Sequence, residues 1–373
     1  MQNKHDNPNK RVLILRLDNI GDVVLFSGAL RYLRRLFPNS HLTLAVQQKV
    51  LNLVEFCPYV DEVLSADQLS TYRRFECLGA RFINPMWRGF YRNIFHGKTK
   101  FEKVIYPLKS PQVGHLELIK LLNVKDVSGI IGCDLNILKS SYPTNIKLKE
   151  IFRSYLDVSE TYPWRHEFLT TMDFLNALGC NIQSINEIYP EFWLADNERN
   201  PLEGFIETGR KLIGLFPGAA SQKRQWFSEN FSQLAGLINV PADFVIFGSA
   251  SDFALASKIE CDLHKTATGR ILNLAGKTTL RELVQGIQSC DLFIGMETSG
   301  LHIAIASGIK SIGIVGGGHF DRFVPWGDVD RNIFLTNRLD CFHCDWSCKY
   351  DRIECLQGIT PEKVAEVANT LLR

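Results

Sequence analysis

Residues 11–46 read RVLILRLDNIGDVVLFSGALRYLRRLFPNSHLTLAV, and this order of apolar and turn residues decides the fold class. Arg11 to Leu17 is a short apolar run, typical of a buried strand in a parallel sheet. A turn with Asp and Gly follows it, then a helical pattern from Val23 to Phe37, then a second strand pattern from His41 to Val46. Strand, turn, helix and strand at this spacing predict a right-handed βαβ unit.

A second series of the same kind begins in the C-terminal half. Two such series predict an α/β fold in which two Rossmann-like, doubly wound parallel sheets face a cleft. Ligands of such sheets bind beyond the carboxyl ends of the strands. The apolar runs that indicate strands in this half lie at residues 212–216, 243–247, 271–274, 291–294 and 310–315.

The chain has 373 residues, which suits two domains better than one ordinary core. Residues 181–200 are polar, contain proline and show no clear periodicity, so we place the domain boundary there. The predicted domains are residues 1–190 and residues 191–373.

Charge and hydropathy exclude several classes of protein. The net charge of +2 argues against a general nucleic-acid binder. Apolar runs are interrupted well before the roughly 18 residues that a membrane span needs. The first ten residues are polar and lack the apolar core of a signal peptide. We therefore expect a cytoplasmic protein.

Basic and aromatic residues are concentrated in one segment. Residues 73–103 hold eight Lys or Arg against two Glu, together with seven aromatic residues. A basic, aromatic segment can contact an anionic lipid surface or a phosphorylated acceptor. A solvated helix with a buried aromatic face gives the same pattern, so both interpretations stay open. The candidate acceptor contacts in this segment are Arg73, Arg74, Trp87 and Arg88.

The stretch GMETSGLH, residues 295–302, links a predicted strand to a predicted helix. Backbone N–H groups and the helix dipole at such a start attract phosphate. Thr298 and Ser299 add hydroxyl donors, and Gly300 allows a ligand to approach closely. Glu297 can accept hydrogen bonds from sugar hydroxyls. An ordinary turn capped by Ser or Thr has the same sequence pattern.

A second loop after a strand, SQKRQW at residues 221–226, follows Gly218 in the strand's exit turn. Lys223 and Arg224 can clamp a diphosphate and stabilise the charge of a leaving group. A solvent-exposed basic loop is the alternative interpretation.

Asp22 is the candidate general base. It follows Gly21 where a strand meets a helix, and a carboxylate near a helix N-terminus stays ionised and can accept a proton. Asp18 is the rival candidate, and a purely structural capping role is the alternative for Asp22.

Two further patterns could indicate metal. Asp328, Val329 and Asp330 have the D-x-D form of metal-dependent sugar transferases, but they occur in an apparent surface loop and we discount them. Four thiolates spaced C-x2-C-x3-C-x6-C could bind zinc or an iron–sulfur cluster. Reduced packing thiols or labile disulfides are the alternatives, and we predict no metal. The four cysteines are Cys341, Cys344, Cys348 and Cys355.

Taken together, these segments resemble glycosyltransferase family 9, the lipopolysaccharide heptosyltransferase family. Residues 11–36 are similar to its opening motif, residues 215–226 to its donor loop, and residues 293–306 to its D-[ST]-G-x-x-H-x-A signature. Residues 316–325 and 341–364 resemble the loop and the cysteine-bearing tail that follow.

The resemblance implies a GT-B architecture and inverting transfer that needs no metal or cofactor. It implies Asp22 as the base, ADP-heptose as the donor and a lipopolysaccharide core or other lipid-linked saccharide as the acceptor. Such an enzyme would work in the cytoplasm, with peripheral contact at the inner face of the inner membrane.

The resemblance also assigns the donor site, with three departures from the family pattern. Ser299 takes the place of the signature glycine, counted back from His302, and two further positions differ. Arg224 stands where a lysine is usual, and Glu297 stands where an aspartate is usual, so another nucleotide-sugar stays an alternative donor. The diphosphate-binding turn would consist of Thr298, Ser299, Gly300 and His302.

Three other functions are alternatives. A nucleotide-sugar epimerase has the same fold but needs no acceptor. A dinucleotide-dependent oxidoreductase fits poorly, because residues 19–22 do not form a G-x-G-x-x-G turn. A non-catalytic binding module stabilised by metal is the third alternative.

Overall fold

The chain forms two compact units, Met1–Trp193 and Leu194–Arg373. Each unit holds one six-stranded sheet. The computed structural model describes residues 10–65, 101–110, 113–132, 148–158 and 164–373.

The strands of the first unit are β1 Arg11–Arg16, β2 His41–Val46, β3 Glu62–Ser65, β4 Lys103–Tyr106, β5 Asp126–Ile131 and β6 Ser154–Asp157. Their order in the sheet is β3-β2-β1-β4-β5-β6, and every neighbouring pair is parallel. β1 pairs with β2 in register from Arg11 with His41 to Arg16 with Val46, which confirms the predicted βαβ unit. The middle of β1 is fully buried, as its continuous apolar run predicts.

The helices of the first unit are α1 Ile20–Phe26, α2 Leu30–Leu36, α3 Gln48–Val54, α4 Val113–Leu122, α5 Leu148–Ile151 and α6 Glu167–Ala177. The prediction of one helix starting at Val23 was wrong. α1 starts at Ile20 because Asn19 is extended and its N–H donates to the Asp22 carboxylate at 3.3 Å. Asp22 therefore lies inside the first helical turn.

A 3₁₀ turn, Ser27–Ala29, separates α1 from α2. At its centre the backbone of Gly28 packs against the chain near Tyr189, so that a Cβ on Gly28 would lie 2.1 Å from the Tyr189 carbonyl oxygen. Only glycine permits this approach.

The strands of the second unit are β7 Lys211–Phe216, β8 Ala242–Ile246, β9 Ile271–Asn273, β10 Leu292–Met296, β11 Ser311–Ile314 and β12 Asn332–Leu335. Their order is β12-β11-β10-β7-β8-β9, again with parallel pairing throughout. This is the same topology as in the first unit, since the earliest strand lies at the centre and the later strands fill first one side and then the other.

The helices of the second unit are α7 Ser228–Gly236, α8 Phe253–Thr266, α9 Leu280–Gln288, α10 Ser299–Ala306, α11 Glu354–Gln357 and α12 Pro361–Leu371. Thr279 and Thr360 cap α9 and α12 as their sequence positions predict, since each hydroxyl accepts a hydrogen bond from a backbone N–H. The predicted cap at Ser228 was wrong. Phe227 precedes the helix, and the Ser228 hydroxyl accepts a hydrogen bond from Lys258 Nζ at 2.7 Å.

These two sheets confirm the predicted α/β class with two doubly wound parallel sheets. The functional roles predicted for the two domains stay predictions. Within the described ranges, no helix combines the length and the apolar character needed to cross a membrane.

Replacing glycine by alanine in a helix usually stabilises a protein, but the close approach at Gly28 predicts the opposite effect there. Gly28→Ala should lower the free energy of unfolding by about 1–3 kcal/mol, because the new methyl group must displace backbone. Gly236→Ala is the matched control, since its Cβ would meet no heavy atom closer than 3.7 Å. That change should raise stability by up to about 1 kcal/mol. Urea unfolding followed by circular dichroism measures both, and a stabilised Gly28→Ala variant would contradict the packing.

Candidate functional site

Strand order determines where each sheet can bind a ligand. In the second unit the chain runs outward from β7 to β9 on one side and from β10 to β12 on the other. The loops after the adjacent strands β7 and β10 therefore lead away from each other, and open α/β sheets bind ligands at this switch point. In the first unit β1 and β4 have the same relation.

Arg224 joins the loop after β7 to the turn after β10. It ends the short 3₁₀ helix Gln222–Arg224, and its Nη2 donates to the Glu297 carbonyl oxygen at 3.1 Å. Its guanidinium carbon also lies 4.9 Å from the ring centroid of Trp346. Lys223, in contrast, is exposed. Of the two predicted phosphate-binding cations, Arg224 is the one with a fixed position.

Glu297 lies at the end of β10 with only 5% of its surface exposed. Neither carboxylate oxygen has a hydrogen-bond partner within the described part of the chain. Burial raises the pKa of this carboxyl to about 7, and the nearby charges of Arg224 and Arg322 oppose the rise. A buried polar group without partners is costly, and its retention is typical of a group that serves a ligand.

The turn after β10 leads directly into α10. This helix begins at Ser299, two residues before the predicted start, with Thr298 as its extended N-cap residue. The Thr298 side chain does not cap the helix, so the first backbone N–H groups of α10 keep their capacity to bind an anion. A Cβ on Gly300 would lie 2.4 Å from the Phe216 ring, so glycine is required where the turn packs on the end of β7.

His302 and Gly218 are both buried beside the site. His302 is 4% exposed, and its Nδ1 accepts a hydrogen bond from Trp326 Nε1 at 3.1 Å. Gly218 lies in the exit turn of β7, where a Cβ would lie 2.4 Å from the Asp252 carboxyl carbon. The loop after β8 therefore closes against the loop after β7.

The four C-terminal cysteines line a small cavity of about 10 Å³ beside the glycine loop, residues 316–318. Cys355 Sγ accepts a hydrogen bond from the Gly317 N–H at 3.3 Å, and burial raises the pKa of the Cys344 and Cys355 thiols. The eight cysteines in the described ranges are free thiols. Nowhere in those ranges do three or more His, Cys, Asp or Glu side chains form a group that could hold a metal ion.

The D-x-D sequence forms a local turn. Asp328 Oδ1 accepts a hydrogen bond from the Asp330 N–H, and the Asp328 N–H donates to Asn332 Oδ1, both at 2.9 Å. The Asp328 carboxylate thus accepts a hydrogen bond from the backbone of its own turn.

In the first unit, Arg16 organises the loop after β1. It is 5% exposed, and its guanidinium donates to the Pro107 carbonyl oxygen at 2.6 Å and to the Asp22 carbonyl oxygen at 3.1 Å. It also pairs with the Asp18 carboxylate at 3.0 Å. Arg16 therefore connects the ends of β1 and β4 with the Asp18 carboxylate and with the backbone of Asp22.

The two carboxylates differ in their surroundings. Asp22 Oδ2 accepts a hydrogen bond from the Asn19 N–H, so Asp22 performs the capping role that sequence left open. Burial raises the pKa of Asp18 to about 7, which Arg16 opposes and the negative charge of Asp22 reinforces. A second carboxyl that holds a proton near neutral pH beside Asp22 was not anticipated. The predicted acceptor contacts Arg73, Arg74, Trp87 and Arg88 lie outside the described residues.

A family model, glycosyltransferase family 9 (heptosyltransferase), matches residues 162–350, half of the chain. The chain belongs to glycosyltransferase family 9. It is 30% identical over 178 residues to lipooligosaccharide heptosyltransferase 2 of Campylobacter jejuni, an alignment that covers 47% of this chain and 54% of that relative. It is 27% identical over 190 residues to lipopolysaccharide heptosyltransferase 2 of Salmonella typhimurium, covering 50% and 54%. The chain spans about half the length of these curated relatives.

Solved structures of family 9 members share the fold over nearly the whole chain. A family 9 glycosyltransferase from Veillonella parvula has a TM-score of 0.73 at 20% identity, with 97% of both chains covered. The Escherichia coli ADP-heptose lps heptosyltransferase II has a TM-score of 0.66 at 16% identity, with 97% of this chain and 98% of that chain covered. The two parallel sheets are thus those of a GT-B member of family 9.

Two residues near Glu297 and Arg224 were missed in the sequence. Arg322 contributes positive charge to Glu297, and Trp346 supports Arg224. The signal for Arg322 was available, because it follows the glycine loop at the end of a predicted strand. Nothing in the local sequence distinguishes Trp346 from a buried aromatic residue.

The raised pKa of Glu297 predicts how stability depends on pH. The folded-state pKa of Glu297 lies above the ordinary value of 4.5. The protonated Glu297 carboxyl therefore makes its full contribution to the free energy of unfolding below pH 4.5, and this contribution is lost as pH rises through about 7. Between pH 5 and pH 8 the free energy of unfolding of the wild type should therefore fall by roughly 1 to 3 kcal/mol relative to that of Glu297→Gln.

Guanidinium unfolding of both proteins at several pH values measures this difference. Glu366→Gln, which changes an exposed glutamate of the same unit, should keep the wild-type profile. Parallel profiles for wild type and Glu297→Gln would refute a titrating buried Glu297.

Proposed function

We propose that this family 9 member is an inverting glycosyltransferase that needs no metal. It transfers a heptosyl group from ADP-heptose to a lipopolysaccharide core or another lipid-linked saccharide. The observation that carries the proposal is the switch point of the second sheet, where Arg224, the start of α10 and the unpaired Glu297 carboxyl lie side by side.

The donor is proposed from the chemistry of these groups together with the names of the relatives. A cation and a free helix start suit a diphosphate, and a carboxyl suits sugar hydroxyls. The name of the Escherichia coli relative includes ADP-heptose, and the curated relatives are heptosyltransferases. The second unit would therefore hold the nucleotide-sugar and the first unit the acceptor.

In the proposed reaction, an acceptor hydroxyl attacks the anomeric carbon and passes its proton to Asp22. The bond from the anomeric carbon to the diphosphate oxygen breaks as the new glycosidic bond forms. A single displacement of this kind inverts the anomeric centre. Arg224, Lys223 and the α10 N-terminus stabilise the negative charge on the departing nucleoside diphosphate, which is the task a metal ion performs in metal-dependent transferases.

The location follows from the acceptor. A lipid-linked saccharide is presented at a membrane surface, so we propose a cytoplasmic enzyme with peripheral contact at the inner membrane. The basic residues Arg73, Arg74 and Arg88, with Trp87, are proposed for that contact.

A donor screen by calorimetry tests the substrate. Without added metal, wild-type protein should bind ADP-heptose in preference to UDP-, GDP- and other ADP-sugars. Arg224→Ala should weaken binding about tenfold to a hundredfold, since a charge-assisted hydrogen bond contributes about 1.5–3 kcal/mol.

Arg199→Ala is the matched control for that screen, because Arg199 is an exposed arginine of the same unit whose partner is Glu282. It should leave donor affinity unchanged. Preference for a different nucleotide-sugar would replace the donor, and binding of none by folded protein would overturn the proposal.

Asp22→Asn tests the base. The amide keeps an oxygen that can accept from the Asn19 N–H, so the helix start is preserved while the basic group is removed. We expect turnover to fall by about 10²–10⁴ with little change in donor affinity. Asp18→Asn should retain more activity, and the reverse order of the two variants would make Asp18 the base.

A further inference from the structure

The cysteine-bearing segment, residues 339–355, packs closely on the glycine loop at residues 316–318. A Cβ on either Gly316 or Gly318 would lie 2.6 Å from atoms of the Trp346 ring, so this ring occupies the space that side chains there would fill. Two backbone hydrogen bonds hold the segment in place. The His343 N–H donates to the Gly317 carbonyl oxygen at 2.8 Å, and the Asp345 N–H donates to the Gly318 carbonyl oxygen at 3.2 Å.

The backbone of this segment is strained next to the ring. His343, Asp345 and Trp346 have φ angles of 65°, 48° and 60°, in the left-handed region that glycine favours. For a residue as large as tryptophan such an angle is an outlier, and it persists only where surrounding contacts enforce it. The Trp346 Nε1–H is also buried without a hydrogen-bond partner among the described residues. The fold therefore holds this ring in place at a cost.

One consequence of that placement is the contact with Arg224. The ring lies against the guanidinium, with 4.9 Å from the guanidinium carbon to the ring centroid. Arg224 Nη2 meanwhile donates to the Glu297 carbonyl oxygen. The ring limits where the guanidinium can lie and the carbonyl holds one of its N–H groups, while other N–H donors of the five remain for a ligand.

We propose that Trp346 is a positioning residue that holds the Arg224 guanidinium ready for the diphosphate of the donor. The inference rests on the proposed function, because it concerns the same donor site. A long side chain such as arginine loses conformational entropy when it binds a ligand, and a side chain already held in its bound orientation loses less. The planar guanidinium stacks on a ring in a way that a lysine ammonium does not, so Trp346 suits an arginine at this position.

A double-mutant cycle on ADP affinity, measured by calorimetry, tests the proposal. Trp346→Leu should raise the Kd for ADP roughly tenfold in the wild-type background, in line with a desolvated cation–π contact. In the Arg224→Ala background the same change should alter the Kd by less than about twofold, because the group that the ring holds is gone. Trp346→Phe keeps an aromatic face, so it should retain most of the affinity for ADP that is lost in Trp346→Leu. If Trp346→Leu does not fold, Trp346→Phe takes its place in the cycle.

Tyr350→Leu is the matched control. Tyr350 lies in the same segment with its ring 5.2 Å from a cation, Lys349, but it has no contact with Arg224. The Kd of the Tyr350→Leu variant for ADP should equal that of the wild type. Equal weakening by Trp346→Leu in both backgrounds would assign Trp346 to loop folding alone and overturn the positioning role, as would an unchanged Kd in Trp346→Leu.

The outcomes also separate this inference from the proposed function. Wild-type protein that binds UDP and not ADP, with the coupling intact in a cycle measured with UDP, would overturn the donor and keep the role of Trp346. Wild-type protein that binds ADP without coupling between Trp346 and Arg224 would overturn only this inference. Folded wild-type protein that binds no nucleoside diphosphate would overturn both.

Discussion

Parallel pairing of the central strands is the constraint on which the rest of this molecule depends. β1 and β4 are parallel, as are β7 and β10. The carboxyl ends of the strands therefore meet at one edge of each sheet. The loops after the two central strands then diverge and leave room for a ligand. Every residue we assign to chemistry lies at such an edge: Asp18 and Asp22 after β1, Arg224 after β7, and Glu297 after β10.

Each edge holds one buried carboxyl with a raised pKa, but the two carboxyls differ in their partners. In the first unit, Arg16 pairs with the Asp18 carboxylate and donates to two carbonyl oxygens, and burial still raises the pKa of Asp18 to about 7. In the second unit, the Glu297 carboxyl is buried without a partner among the described residues, and it takes a raised pKa as a result. Desolvation without compensation is costly in the free protein, and a hydroxyl-bearing ligand removes that cost when it binds.

Sequence predicted the parts of the fold that depend on local pattern. β1 and β7 were located within one residue because each is a continuous apolar run before a turn. Helix α8 was missed although its buried residues Ala256, Ile259 and Leu263 recur at the three- and four-residue spacing of an amphipathic helix. Strand β12 was missed because its apolar run, Ile333 to Leu335, has only three residues.

The same distinction explains how much of the proposed donor site could be predicted from the sequence. Arg224 and Glu297 were found because each follows a strand, but their mutual arrangement comes from tertiary contacts. Arg224 binds the backbone oxygen of Glu297 and stacks on Trp346 instead of pairing with the Glu297 carboxylate. A direct ion pair would neutralise both groups and leave neither for a ligand. In the proposed donor site, keeping the cation and the carboxyl apart leaves one for an anionic diphosphate and the other for neutral hydroxyls, which are the two parts of a nucleotide-sugar.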